Sequence, residues 1–257
     1  MFRFLLIIVI SLYGAFGFAS NELRELEYAE DIESSLSVGE IIWLNTKNRK
    51  FLALYAETEG VEKMGAVILL HPRDGHPNQR KIINPLRTYL PKHQWASLSL
   101  QMPVLDSGAK DSEYYLLFDE ANIRIQAAID YLRVSKVDNI VLIGHGLGGT
   151  MATYFVSNNA KKTDIKAIVS VSLIAPKKDQ YNMQVIESLG KITIPFLDIF
   201  AEFDSSDVIE TVGQRRVAGS ANSAYRQVEI NGEGHLFQHD EGLVVKRVYS
   251  WVNRVFR

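Results

Sequence analysis

The stretch Asn139-Ile-Val-Leu-Ile-Gly-His-Gly-Leu-Gly-Gly-Thr-Met-Ala-Thr153 constrains the fold more than any other part of this 257-residue chain. The apolar run Ile140 to Ile143 reads as a strand buried on both faces. Glycines 144, 146, 148 and 149 then crowd a sharp turn in which backbone must approach backbone. From Thr150 to Ala160 the pattern is helical. A buried strand that turns at once into a helix is half of a βαβ unit, so the surroundings should be a parallel sheet covered by helices.

The remaining pattern agrees. Glu40–Thr46 and Lys50–Glu57 are strand-like runs joined by a polar turn, which predicts an antiparallel hairpin. Strands are expected at Gly65–His71, Trp95–Gln101, Lys166–Ser172, Ile192–Phe200 and Tyr225–Ile230. Helices are expected at Asn78–Leu90, Glu113–Val134, Met183–Leu189, Ser206–Ala218 and Gly242–Phe256. In the long helix, Leu117, Ala121, Ile125, Ala128, Ile129 and Leu132 share one face. The expectation is an α/β fold in one domain over residues 40–257, preceded by a loose, polar, acidic lead-in at 20–39.

Residues 1–19 have the form of a secretory signal peptide: a short basic start at Arg3, an apolar run Phe4–Leu12, and small residues at Gly17 and Ala19. The apolar run is short against about 30 Å of hydrocarbon, so cleavage near Ser20 is expected rather than a stable membrane span. The expected location is the periplasm or the exterior. There is no cysteine, so the exported domain must rest on its core rather than on disulfides. With a net charge of -2 and only short basic pairs, nucleic acid is not an expected partner; a small molecule or another protein is.

Gly144-His145-Gly146-Leu147-Gly148 has the outline of the G-x-S-x-G nucleophile elbow, with glycine where serine would stand. It follows the fifth expected strand, Asp204 follows the seventh, and His235 follows the eighth. That is the chain order nucleophile, acid, histidine, with each member in a turn at a strand's carboxyl end. On these residues the chain resembles the α/β-hydrolase superfamily over nearly all of its mature length. Ser97-Leu-Ser-Leu-Gln-Met-Pro-Val-Leu105 further resembles an uncharacterised exported bacterial group of that superfamily, known only as a domain of unknown function.

The resemblance implies a mostly parallel sheet with helices on both faces. It makes His71, Pro72, Arg73, Asp74 and Gly75 an oxyanion loop, Asp204 the acid and His235 the base. Gly146 takes the degenerate nucleophile position, with the Leu147 amide as an oxyanion donor and His145 as a packing and hydrogen-bonding residue below the turn. Asp204 could instead cap the helix beginning at Ser205-Ser206.

Acyl transfer needs a side-chain nucleophile, and Gly146 offers only a hydrogen. The leading expectation is therefore a non-catalytic ligand-binding or accessory protein, with an open pocket above Gly146 and no large lid between Leu173 and Lys191. The alternative is a hydrolase or lyase working through an Asp204–His235 dyad, with Ser99 or Asp106 as conceivable replacement nucleophiles. Gly144-x-Gly146-x-x-Gly149 also fits a dinucleotide fingerprint, but no acid closes the following strand and Asp164 precedes it. His235, His239 and Asp240 do not make a recognisable metal-ligand set. No cofactor and no metal are expected.

Overall fold

The structure, a computed structural model, describes residues 20–47, 49–159, 164–175 and 182–257. The segment read as a signal peptide lies outside these residues. Eight strands form one sheet: β1 (Glu40–Asn45), β2 (Lys50–Ala56), β3 (Gly65–Leu70), β4 (Trp95–Leu100), β5 (Ile140–His145), β6 (Ile165–Val171), β7 (Phe196–Phe203) and β8 (Tyr225–Gly234). Their order is β1-β2-β4-β3-β5-β6-β7-β8. The β1–β2 and β2–β4 pairs are antiparallel and every other pair is parallel, as the sequence pattern predicts.

Both faces of the parallel strands are buried, and the alternation of side chains along β3 shows how. Ala66, Ile68 and Leu70 join the core beneath α4 (Phe118–Val134), α5 (Leu147–Asn159) and α6 (Asn182–Lys191). Val67 and Leu69 join the opposite core beneath α2 (Ile83–Tyr89) and α9 (Glu241–Phe256). A strand whose neighbours in sequence must each enter a core has to be apolar throughout, which is why β3, β4 and β5 read as unbroken runs.

The segment expected to be a loose lead-in is instead a helix, α1 (Glu22–Ser35). Its Asn21 cap accepts a hydrogen bond from the Arg24 amide, and Glu22 and Glu25 sit in the first turn, where the helix dipole favours anions. Its buried side is Glu25, Ala29 and Ile32, the latter two packed on Leu52 and Leu54 of β2. One of three inward positions is thus a carboxylate, which hides the helical period from a count of apolar residues. Fully buried Arg124 of α4 satisfies that carboxylate at 2.9 and 3.0 Å, with Arg49 and Glu120 in the same cluster.

Other boundaries moved for local reasons. The helix expected from Asn78 is delayed to Ile83 because Ile82 has a φ of 63°, which no α-helix accommodates. β7 starts at Phe196 rather than Ile192 because Pro195 has no amide to donate to a ladder. The helix expected over Ser206–Ala218 divides into α7 (Ser206–Ile209) and α8 (Val212–Gly219), and a short α3 (Asp111–Tyr114) precedes α4.

Candidate active site

The site sits at the carboxyl ends of the parallel strands, where turns after β3, β5, β6, β7 and β8 converge. Gly146 is the turn between β5 and α5. Its φ of 54° is a left-handed conformation that glycine adopts without cost. Its amide bonds the Val171 carbonyl at 2.9 Å. A Cβ at residue 146 would lie 3.3 Å from Pro72 Cβ and 3.6 Å from Ile174 Cδ1, tight but not blocked. The neighbouring glycines are needed for packing. A Cβ at residue 148 would run into the backbone carbonyls of Leu70 and His71, and one at residue 144 into Gly148 itself. The glycine spacing that also fits a dinucleotide fingerprint is therefore accounted for by strand–helix contact. β6 ends at Val171 and is followed by Ser172, with no acid there, and Asp164 pairs with Arg133 before that strand begins.

Asp204 and His235 come together as the chain order implied. His235 Nδ1 lies 2.6 Å from Asp204 Oδ1. The carboxylate also accepts hydrogen bonds from Ser172 Oγ at 2.6 Å and from the amides of Ala201 and Ser205 at 3.0 and 2.9 Å. Burial would raise this carboxyl, but the bonds from His235, Ser172 and Ala201 outweigh it and hold it below its ordinary range. The N-cap position of α7 is held by Ser205 rather than Asp204, and its side chain makes no capping bond. Ser172, which the sequence pattern showed only as a strand end, has a φ of 55° that turns its hydroxyl to Asp204. The His235 side chain is 31% exposed, so a reactant could reach it.

His145, at the end of β5, packs under that pair. Its ring stacks on His235 with centroids 5.3 Å apart. The packing expected of it is found; its ring nitrogens meet no well-formed partner and make only a weak contact with the His235 backbone. Burial, with the neighbouring His235 second, pushes its pKa down to about 4, so it is neutral.

The loop after β3 is held from three sides. Met102 N–H donates to His71 Nε2 at 2.9 Å, so the ring proton belongs on Nδ1, which donates to the Pro72 carbonyl at 2.7 Å. Burial pushes His71 down to about 3 and keeps it neutral. Asp74, at a φ of 58°, accepts from Arg24 at 2.7 Å and Tyr114 at 3.0 Å, while Tyr28 donates to its carbonyl. Arg73 pairs with Asp111 at 2.7 Å, and Gly75 N–H closes the turn onto Pro72. Arg24, Tyr28 and Tyr114 carried no sequence signal, because nothing local relates α1 or the segment at Tyr114 to a loop 40 to 50 residues away.

One backbone donor is placed for an oxyanion. Leu147 N–H opens α5 and has no acceptor within the helix. Pro72, the loop residue against Gly146, has no N–H, so any second donor must come from Arg73 onward. The open pocket expected above Gly146 is not found beside this loop. The crevice lined by His71, Pro72, Met102, Tyr114, Leu147 and Met151 has about 0 Å³ available to a water-sized body.

The replacement nucleophiles are engaged elsewhere: Ser99 is buried and donates to the Pro77 carbonyl, and Asp106 accepts from Asn21. His239 is 80% exposed and pairs with Glu233, while Asp240 caps α9. Among the described residues, no three His, Cys, Asp or Glu side chains cluster as metal ligands, and no helix is long and apolar enough to cross a membrane.

The fold has many solved counterparts. Est1E from Butyrivibrio proteoclasticus superposes with a TM-score of 0.66 at 18% identity, over 84% of this chain and 98% of its own. A Pyrococcus furiosus esterase does so at 0.69 and 16%, over 85% and 93%. A Xanthomonas campestris serine hydrolase described as lidless gives 0.67 and 13%, over 86% and 96%. These likenesses establish an α/β-hydrolase fold. Among curated proteins no sequence matches the chain significantly. Residues 21–122 and 117–254 match the profile described as "Protein of unknown function (DUF3530)", and the chain belongs to that family.

Proposed function

We propose that the mature chain is an exported binding or accessory protein on an α/β-hydrolase scaffold, without serine-hydrolase turnover. The observation that carries this reading is Gly146 at the elbow turn, with its φ of 54° and Pro72 packed over it, where acyl transfer would need a hydroxyl beside His235. Removing the nucleophile from an intact triad costs about a million-fold in rate. The form of residues 1–19 supports export. The Pyrococcus furiosus counterpart described as an esterase shares the fold at 16% identity, which carries no activity to this chain.

One observation favours a second reading. Four donors still organise Asp204, and His235 keeps its carboxylate partner at 2.6 Å. An imidazole oriented in this way is equipped to take a proton from water or from a substrate carbon.

The test is an assay of the mature protein on short acyl esters, beside His235→Ala and Gly146→Ser. The wild type should match His235→Ala, and Gly146→Ser should gain turnover that disappears when His235→Ala is added. Wild-type turnover lost in His235→Ala would overturn the non-catalytic reading in favour of the dyad.

A further inference from the structure

At the opposite end of β7 and β8 from Asp204 and His235, the sheet outruns its covering helix. The inward side chains Leu197 and Ile199 of β7 form a buried floor, and α9 supplies Trp251 and Val255 as one wall. Val228, beside Ile199 in the β7–β8 register, forms the other. The groove holds about 500 Å³, within the range of a site for one small molecule.

Its rim is cationic. Arg226 projects from β8, and Arg247 and Arg254 project from α9 at a spacing of seven, two turns along one face. Arg226 donates to the carbonyls of Ser223 and Tyr225, and no carboxylate lines the groove. Elsewhere among the described residues, Arg24, Arg49, Arg73, Arg124, Arg133 and Arg215 each have an Asp or Glu partner, while Arg87 and Arg216 bond to neutral acceptors. Three arginines with no carboxylate partner among the described residues, around an apolar floor, match an anionic head on an apolar tail, because guanidinium takes a carboxylate through two parallel hydrogen bonds.

We infer that the groove between β8 and α9 binds a single-chain amphiphile with an anionic head, its acyl chain along the half-buried Val228, Trp251 and Val255 above the Leu197 and Ile199 floor and its carboxylate between Arg247 and Arg254. The occupant is a free fatty acid. The groove shares no residue with the elbow, so this binding does not depend on whether His235 does chemistry.

The test is displacement of a fluorescent fatty acid by palmitate from the mature full-length chain, with hexadecanol and hexadecyl phosphate as competitors and Arg247→Gln/Arg254→Gln as the variant. Both arginines are exposed, so the variant should melt with the wild type. Palmitate should bind at micromolar concentration. The variant should weaken it at least tenfold, and hexadecanol should compete at least tenfold more weakly than palmitate. Absence of palmitate binding, equal binding by the variant, or equal competition by hexadecanol would overturn the inference. Competition by hexadecyl phosphate alone would overturn the carboxylate assignment. A concentration-dependent dimer that blocks binding and is lost in the variant would show the groove to be a self-association face instead.

Discussion

At the scale of single residues, the elbow glycines divide into one that substitution can reach and others that it cannot. Residue 146 has room for a methyl group if Pro72 yields a few tenths of an ångström, so Gly146→Ala should lose only about 1–2 kcal/mol, mainly from the left-handed backbone. Gly148→Ala drives a Cβ into the backbone carbonyls of Leu70 and His71 and should lose about 4 kcal/mol or more. Urea denaturation of both variants checks the ordering; equal losses would contradict the packing described here. This difference explains how an elbow can retain its shape with glycine at the nucleophile position. Shape depends on residues 144, 148 and 149, chemistry on residue 146.

At the scale of elements, α1 is the part that the sequence concealed. It braces the loop after β3 through Arg24 and Tyr28, and it is itself anchored by Arg124 beneath Glu25. Arg124→Met would strand a buried carboxylate beside Arg49 alone and should lower stability by about 3 kcal/mol in chemical denaturation. Tyr28→Phe removes one hydrogen bond, worth about 1 kcal/mol, from the loop at Asp74. Its signature should be faster amide exchange at residues 73–75 with little change in the global melt. If exchange there is unaffected, α1 does not hold the loop. The acidic surface of α1 is legible in the sequence. Its docking is not, because a buried ion pair with a partner a hundred residues away has no local period.

At the scale of the whole molecule, two neutral buried histidines set a pH dependence. His71 and His145 titrate at about 3 and about 4 in the folded chain because burial penalises their charged forms, whereas both titrate near 6.5 when unfolded. Between those values the unfolded chain binds more protons. The contribution of the two rings is therefore full above pH 6.5 and falls as pH drops toward 4, by about 1.4 kcal/mol per pH unit from each ring. Glu25, raised to about 7 by burial, works in the opposite direction and offsets about one ring's share over that window. Asp204, held below its ordinary value, adds a further loss at still lower pH. Melting temperature should decline from pH 6.5 to 4, less steeply in His145→Phe; a flat profile would rule this out. The α/β class, the hairpin edge and the order Gly146, Asp204, His235 were all determined by the sequence, because apolar runs, turn residues and chain order are local properties. Only the tertiary structure decided that Asp204 meets His235 with Ser172 behind it, that Pro72 closes over Gly146, and that α9 leaves β8 partly uncovered. Each of these depends on which distant segments the sheet order brings side by side, and burial and packing between them are energies that no single stretch of chain contains.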